Sequence, residues 1–187
     1  MDSAPYPRSL SVWIRPEACV DAQLHATITT ESAALLPHGA TGPFSPHVTV
    51  LGGIPVASEA DIDAVTAAVG ALARESRVFI VVAPAIVAGT LFFQCVYALC
   101  TPSAPLTGCF ESLCAALPSA PRPAPAYMPH LSLVYGELPQ SVRETSAAGL
   151  AASFGVQGIS FSAVALEVWD TTGPVERWHL LSSFALP

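Results

Sequence analysis

The chain contains one short pattern twice: a proline, a histidine, an apolar residue, a hydroxyl residue and a second apolar residue. The two copies are Pro46-His47-Val48-Thr49-Val50 and Pro129-His130-Leu131-Ser132-Leu133. Because side chains alternate across a strand, each copy predicts an imidazole and a hydroxyl on one face and apolar groups in the core. A predicted strand and helix precede each copy. The repeat therefore predicts two similar halves whose histidine strands face one another across a cleft.

Periodicity and turn residues divide the rest of the chain into further elements. Ser58 is the predicted N-cap of a helix whose apolar residues keep helical spacing as far as Leu72. Consecutive strands between 77 and 99 are expected to pair antiparallel. The predicted strands are 10–14, 46–51, 77–82, 86–88, 91–99, 129–135, 159–168 and 177–186. The other predicted helices are 19–36, 104–117 and 140–153.

An uncharged apolar stretch, 78–110, raises the question of a membrane span, since the mean hydropathy is +0.53. Pro84, Gly89, Gln94 and Pro102 cut the stretch into pieces shorter than the ~20 apolar residues that a spanning helix needs. Buried strands are predicted instead. Asp2 stands where a signal peptide would carry a basic residue. We therefore expect a cytosolic protein with no membrane partner.

Charge restricts the partners. The chain has 14 acidic residues against 7 arginines and no lysine, which gives a formal net charge of −7. A long nucleic acid would be repelled unless the arginines cluster. We expect a small anionic ligand, no long nucleic acid, and a monomer.

The five cysteines do not predict a metal site. Cys95 and Cys100 would face opposite ways on a strand, and Cys109 and Cys114 would diverge by about 140° on a helix. Zinc is therefore not expected. Buried free thiols are predicted for four of the five cysteines, and a Cys109–Cys114 bridge stays open if that stretch is a loop.

Two imidazoles and two hydroxyls suit the hydrolysis of a phosphate diester without metal or cofactor. Imidazole titrates near pH 6.5, so at neutral pH one ring can be a base that activates water while the other is an acid for the leaving oxygen. The hydroxyls can donate hydrogen bonds to the non-bridging oxygens. One copy alone indicates only a half-buried histidine in a strand, whereas two copies in matching contexts favour a site. A bell-shaped pH profile is expected.

Four stretches in this order resemble the 2H phosphoesterase superfamily, and in particular its plant-type cyclic phosphodiesterases. The stretches are Ser11-Val12-Trp13, Pro46-His47-Val48-Thr49-Val50, Gly89-Thr90-Leu91-Phe92-Phe93-Gln94-Cys95-Val96 and Tyr127-Met128-Pro129-His130-Leu131-Ser132-Leu133-Val134-Tyr135. The resemblance implies a single bilobal α+β domain, 1–187, with two pseudo-symmetric lobes. Each lobe would have an antiparallel sheet backed by helices, with the active-site cleft between the lobes.

The resemblance also implies a reaction and the residues that perform it. Plant-type enzymes open ADP-ribose 1″,2″-cyclic phosphate, a by-product of tRNA splicing, to ADP-ribose 1″-phosphate, and nucleoside 2′,3′-cyclic phosphates to 2′-phosphates. By this resemblance His47 and His130 are the catalytic pair, and Thr49 and Ser132 hold the phosphate. His130 would activate water and His47 would protonate the leaving oxygen.

Five further residues are weaker candidates. Trp13, Phe93 and Tyr135 match aromatic positions near the family's site and would contact the substrate. Arg122 and Arg177 are candidates for a diphosphate, although exposed arginines are more often solvated. His25, His38 and His179 lack a repeated hydroxyl partner and are interpreted as structural or solvated.

Two other functions remain open at this point. The same groups would serve an enzyme of RNA ends, either a 2′,3′-cyclic phosphodiesterase or a 2′-5′ RNA ligase-like protein. A non-catalytic nucleotide-binding module is the second alternative. A proline-rich connector containing Pro118, Pro121, Pro123 and Pro125 ends at Tyr127 and is a candidate rim or lid.

Overall fold

The computed structural model describes residues 7–122 and 126–187, and within them the chain forms an α+β fold. The strands are β1 (Arg8–Pro16), β2 (Val48–Val56), β3 (Phe79–Ala83), β4 (Ala85–Ala88), β5 (Val96–Leu99), β6 (His130–Val134), β7 (Ile159–Asp170) and β8 (His179–Ala185). The helices are α1 (Ala18–Leu35), α2 (Glu59–Glu75), α3 (Ala104–Ala116) and α4 (Gln140–Phe154), with short 3-10 turns at Leu36–His38 and Val175–Arg177.

The eight strands form one antiparallel sheet that is nearly closed. Its order is β3-β7-β1-β2-β6-β5-β4, and β8 pairs with β7. β3 and β4 lie at opposite ends of this order, yet only Pro84 separates them in the chain. The sheet must therefore curl until its two ends meet. A bond of 2.7 Å from Thr101 N to Val82 O joins the segment after β5 to β3.

Two lobes are visible within this continuous sheet. β2 and β6 are registered at Val48 and Leu131, each of which directly follows a repeat histidine. Helices α2 and α3 pack on the β7 and β2 side, whereas α1 and α4 pack on β6, β5 and β4. The α+β class with antiparallel sheets backed by helices is confirmed. The sheets of the two lobes are joined through β2 and β6 rather than separate.

Burial of one face of β1 and of β6 explains why the other face of each strand is turned toward the cleft. In β1, Leu10, Val12 and Ile14 are fully buried, so the alternate residues of the strand face the cleft. In β6, Leu131 and Leu133 are fully buried in the same way. Burying such side chains stabilises each strand by about 1.5–3 kcal/mol per residue relative to exposing them.

Most predicted elements are confirmed to within a few residues, and α2 begins at its predicted cap. Ser58 Oγ accepts a bond of 3.2 Å from Asp61 N, and the Asp61 carboxylate accepts one of 2.8 Å from Ala57 N. This reciprocal arrangement satisfies backbone donors at the start of the helix. Hydrogen bonds from Ala57 and Ser58 to the carboxylate hold the pKa of Asp61 below its usual value.

Two strand predictions are wrong. The predicted strand 91–99 begins only at Val96, because residues 91–95 form a turn in which Gln94 N bonds to Leu91 O and Gly89 N to Cys95 O. The strands on either side of Pro84 also do not pair with one another. β4 pairs with β5, whereas β3 pairs with β7, because Pro84 redirects the chain from one end of the sheet to the other.

The five cysteines are free, and the Cys109–Cys114 bridge, which needed this stretch to be a loop, does not form. Cys109 and Cys114 both lie in α3, where five steps turn their side chains apart. Burial raises the pKa of Cys109 and raises that of Cys100 to about 12, which disfavours the thiolate form at neutral pH. Of the proline-rich connector, Pro123 and Pro125 lie outside the described residues. None of the helices in the described part has the length and hydropathy of a membrane span.

Candidate active site

The two repeat histidines line one cavity of about 520 Å³ between β1, β2, β6 and the loops beside them. We call this space the two-histidine cavity. Six of the seven residues predicted for the site line it: Trp13, His47, Thr49, Phe93, His130 and Tyr135. The two copies of the repeat therefore converge on one cavity, which His47, Thr49 and His130 line, and the catalytic roles of these residues stay predictions.

A second cavity of about 430 Å³ adjoins the first, and we call it the side cavity. The two spaces share Thr49, Gly52, Gln94 and His130. A phosphate held at these shared residues would therefore have room on two sides. Gln94 was not predicted, although it lies in the stretch that carries the family resemblance.

Both catalytic candidates are held in the same tautomer. His47 Nδ1 lies 2.7 Å from the carbonyl of Ser45, and His130 Nδ1 lies 2.9 Å from the carbonyl of Met128. A carbonyl only accepts, so Nδ1 carries the hydrogen in each ring. In the neutral ring Nε2 is then the basic nitrogen. The arrangement leaves both Nε2 atoms suited to proton transfer.

Burial keeps both imidazoles neutral in the free protein. Desolvation lowers the pKa of His47 to about 3, with smaller contributions from Arg15 and His130, although the Ser45 carbonyl opposes the shift. Desolvation also lowers the pKa of His130 from 6.5. The expectation of one neutral and one protonated ring at neutral pH therefore does not hold for the free protein. A bound anion would be needed to favour the protonated form of either ring.

Trp13 supports His47 instead of offering a face to a substrate. Its ring lies parallel to that of His47 at 3.5 Å between centroids, and Trp169 stacks on it at 4.3 Å. Both faces of the Trp13 indole are covered, and its exposed fraction is only 1%. The predicted role of Trp13 in stacking on a substrate is therefore corrected to a role in holding the imidazole.

An ion-pair network lies behind this stack, and no pattern in the sequence indicated it. The Arg15 guanidinium donates to the Pro46 carbonyl, just before His47, and pairs with Asp21 at 2.6 Å. Its Nε lies 3.4 Å from Glu167, which also accepts a bond of 2.7 Å from the Trp169 indole. Arg15 thus holds the backbone before His47, and Glu167 holds the Trp169 ring that stacks on Trp13.

Tyr135 contributes its hydroxyl to the site and not its ring face. The hydroxyl makes a long contact of 3.5 Å with His47 Nε2 and lies beside Ser132. Its ring stacks on Phe44 at 3.9 Å and receives the edge of Phe93. Burial raises the pKa of Tyr135, so the phenol stays protonated and able to donate.

Ser132 lies close to the site but does not line the two-histidine cavity. Its exposed fraction is 4%, and its hydroxyl donates to the Phe93 carbonyl at 3.1 Å. Contact with a phosphate would require the hydroxyl to leave this carbonyl. Thr49 differs, because it is half-buried and lines both cavities. The two hydroxyls of the repeat are therefore not equivalent.

Exposed aromatic surface in the cavity comes from Phe93 and Trp178. Phe93 is 49% exposed, and Trp178 is partly exposed. The centroids of their two rings lie 5.6 Å apart. No pattern in the sequence indicated Trp178 as a site residue. It follows the Gly173-Pro174 turn and a 3-10 turn, whose course around the cavity no local pattern predicts.

The loop that presents Phe93 and Gln94 is held by a buried arginine. Arg143 on α4 donates to the Leu138 carbonyl at 2.8 Å and to the Gly89 carbonyl at 3.0 Å. Arg122 likewise donates to carbonyls at the end of α3, and it lines the side cavity. Arg177 is exposed and lines neither cavity.

No three His, Cys, Asp or Glu side chains in ranges 7–122 and 126–187 are grouped so that they could hold a metal ion. The chemically active groups of the cavity are thus two imidazoles, hydroxyls and an amide. These groups transfer protons and donate hydrogen bonds.

Solved structures with this architecture identify the class of fold. E. coli LigT complexed with 3′-AMP matches with a TM-score of 0.64 at 18% identity, covering 97% of this chain and 99% of the other. TT0787 of Thermus thermophilus matches with a TM-score of 0.66 at 14% identity, covering 95% and 97%. The apo form of E. coli LigT matches with a TM-score of 0.63 at 13% identity, covering 96% and 98%. The fold is that of the 2H phosphoesterases.

The family follows from the sequence itself. The model of the cyclic phosphodiesterase-like protein family matches residues 8–186. The chain therefore belongs to the cyclic phosphodiesterase-like family. None of the curated proteins compared with the chain matches it.

Proposed function

We propose that the chain is a metal-independent cyclic phosphodiesterase that uses His47 and His130 as a general acid–base pair. Its substrates are ADP-ribose 1″,2″-cyclic phosphate, opened to the 1″-phosphate, and nucleoside 2′,3′-cyclic phosphates, opened to 2′-phosphates. The observation that supports this best is the pair of Nδ1-anchored imidazoles on one cavity. Membership of the family is consistent with the reaction.

The proposed reaction is attack of water on the cyclic phosphorus. One imidazole takes a proton from water at Nε2, and the new P–O bond to the water oxygen forms while the P–O bond to one sugar oxygen breaks. The other imidazole gives a proton to that departing sugar oxygen. The products are a phosphate monoester and a free hydroxyl. Following the family resemblance, His130 is the base and His47 is the acid. Proton exchange with solvent then restores the starting state of both rings.

The acid must gain its proton when substrate binds. Burial holds the pKa of His47 at about 3 in the free protein. A phosphodiester anion beside the ring favours the charged imidazolium and raises that pKa. The stacked Trp13 ring also favours a cation over its face. Substrate binding and proton uptake are therefore coupled in this proposal.

Hydroxyl groups stabilise the charge that develops on phosphorus. Thr49 faces the space shared by the two cavities and donates to a non-bridging oxygen in the proposal. Ser132 and the Tyr135 hydroxyl form a second layer beside His47. Preorganised donors of this kind contribute about 10²–10³ in rate when they contact the reacting oxygen.

Turnover in the presence of EDTA tests the proposal. Purified protein is incubated with adenosine 2′,3′-cyclic phosphate or ADP-ribose 1″,2″-cyclic phosphate, and products are followed by phosphorus NMR. We expect the 2′-phosphate and the 1″-phosphate. Dependence on added metal would contradict the mechanism. No hydrolysis of either compound by folded protein would favour RNA ends as substrate or a binding-only role.

A further inference from the structure

The loop between β4 and β5 places Gln94 where the two cavities meet. Four residues line both spaces: Thr49, Gly52, Gln94 and His130. Thr49 and His130 already have a part in the proposed reaction, and Gly52 has no side chain. The Gln94 side chain is therefore the polar group at this boundary that still lacks a role.

The backbone of Gln94 is turned into its own loop, so the side chain is the part that faces the cavities. Its N–H donates to the Leu91 carbonyl at 3.3 Å. Its carbonyl oxygen lies against Gly89, where a Cβ would overlap it. The residue is half-buried, and its carboxamide makes no hydrogen bond to any of the residues that the structure describes. Two N–H donors and an acceptor oxygen are thus available to a ligand.

The loop around Gln94 is held independently of a ligand. The Phe93 carbonyl accepts from the Ser132 hydroxyl at 3.1 Å, and the Gly89 carbonyl accepts from Arg143 at 3.0 Å. A donor that is already in place needs little reorganisation when charge develops beside it, which is why preorganised amides and hydroxyls stabilise transition states. Gln94 meets this condition, because its loop is tied both to β6 and to α4.

Hydrolysis of a cyclic phosphate calls for more than one hydrogen-bond donor. The phosphate has two non-bridging oxygens, and negative charge grows on both as water attacks. The Thr49 hydroxyl has one O–H and can serve one oxygen at a time. The Gln94 carboxamide lies at the same boundary and can serve the other. Hydrogen bonds to a charged acceptor are among the stronger ones in proteins.

We infer that the Gln94 carboxamide donates to one non-bridging oxygen of the cyclic phosphate while Thr49 donates to the other. This inference rests on the proposed function, and it adds a residue that contacts the reacting phosphate. Because Gln94 borders both cavities, the contact does not depend on which cavity holds the rest of the substrate.

Sulfur substitution tests this contact one oxygen at a time. Adenosine 2′,3′-cyclic phosphorothioate exists as two diastereomers, each with sulfur in place of one non-bridging oxygen. Sulfur is a weak acceptor, so a donor loses most of its effect at the substituted position. For each diastereomer, the thio effect is the kcat/KM of the oxygen compound divided by the kcat/KM of that diastereomer.

Gln94→Met removes the carboxamide and keeps an unbranched side chain of similar length. We expect kcat/KM for the oxygen compound to fall by about tenfold, and the thio effect of one diastereomer to shrink by a similar factor. The thio effect of the other diastereomer should stay as in the wild type. Thr49→Ala should show the opposite selection, because its hydroxyl serves the other oxygen.

Gln94→Glu tests the direction of the hydrogen bond, since a carboxylate only accepts and also repels the phosphate. We expect kcat/KM for the oxygen compound to fall by about 10² or more. Gln157→Glu is the matched control, because it adds the same charge at an exposed turn that lines neither cavity. This control should keep the kcat/KM of the wild type.

The outcomes separate this inference from the proposed function. Unchanged kcat/KM in Gln94→Met, or an equal loss for the oxygen compound and both diastereomers, overturns the role of Gln94 and leaves the phosphodiesterase in place. The same is true if Gln94→Glu is as active as Gln157→Glu. Failure of the wild-type protein, with intact circular dichroism, to hydrolyse the oxygen compound overturns the proposed function itself and this inference with it.

Discussion

At the scale of single residues, the site depends on how His47 is surrounded. The ring is held by the Ser45 carbonyl, covered by Trp13 and contacted by the Tyr135 hydroxyl. These contacts fix one tautomer and remove water, and together they make the neutral ring the resting form. His130 is set in the same way by Met128, with the edge of Tyr97 beside it. The two rings are therefore prepared alike but buried to different degrees.

The pH dependence should reflect this burial. The profile of kcat/KM reports the free enzyme, whose active form needs one protonated and one neutral ring. Both pKa values lie below 6.5, so kcat/KM should fall as pH rises above the higher of the two and its optimum should lie below pH 6.5. Bound anion raises both values, which moves the optimum of kcat to higher pH. Steady-state kinetics from about pH 4 to 9 measure both, and coincident optima above 6.5 would contradict the coupling.

Arg15 should tune the titration of His47. Its positive charge lowers the pKa of the ring and its guanidinium holds the Pro46 carbonyl. Arg15→Gln is expected to raise the pKa of His47 and to reduce kcat, because the charge is lost and the segment before the histidine is less constrained. Nuclear magnetic resonance of labelled histidine measures the titration. Arg77→Gln, an exposed substitution, is the control, and an unchanged His47 titration in Arg15→Gln would argue against the network.

At the scale of elements, the loop between β4 and β5 brings the aromatic wall to the histidines. Gly89 N bonds to Cys95 O, and Arg143 holds the Gly89 carbonyl from α4. The Phe93 carbonyl accepts from Ser132 on β6, which ties the loop to the second histidine strand. The loop is thus fixed from both ends and from its middle.

Gly89→Ala should disturb this loop and the activity together. A Cβ at Gly89 would overlap the Gln94 carbonyl oxygen, a backbone atom that can move only with the turn. We expect a loss of about 1–3 kcal/mol in the free energy of unfolding and an increase in KM. Gly149→Ala on α4 is the matched control, since nothing lies within 4 Å of its Cβ, and there helix propensity predicts a gain of about 0.5–1 kcal/mol. Denaturant unfolding and kinetics measure both, and wild-type values for Gly89→Ala would refute the role of the turn.

The sequence predicted the elements that depend on local pattern and missed those that depend on distant contacts. Alternation along each Pro-His segment, taken together with the internal repeat, predicted that His47, Thr49 and His130 face one cleft, and all three line one cavity. It could not show that Trp169 covers the second face of Trp13, because their strands meet only in the folded sheet. The carbonyl partner of Ser132 is similarly 39 residues away in sequence.

At the scale of the whole molecule, one sheet joins the two halves of the repeat. β2 and β6 meet beside the histidines, and β3 and β4 meet through Pro84 at the opposite side. The cleft therefore lies on a continuous hydrogen-bonded frame. Prediction from sequence failed at Pro84 because a change of strand partners within one residue leaves no periodic pattern.

This continuity predicts cooperative unfolding of the chain as a single domain. Because each lobe supplies strands to the same sheet and α1 packs on β6, neither half keeps its core without the other. Loss of circular dichroism and of tryptophan fluorescence should give coincident denaturant transitions. Two separated transitions would show that the lobes unfold independently.

The central claim is that both imidazoles act in the same turnover, and a double-mutant comparison tests it most directly. The kcat for adenosine 2′,3′-cyclic phosphate is measured in EDTA for His47→Ala, His130→Ala and the double variant, with His179→Ala as control. His179 has the same Nδ1 contact to a carbonyl two residues earlier but lies outside the cavity. We predict losses of about 10²–10⁴ in each single variant and little further loss in the double variant, because the residues act as a unit. Full activity in either single variant, or losses that multiply in the double variant, would contradict the account.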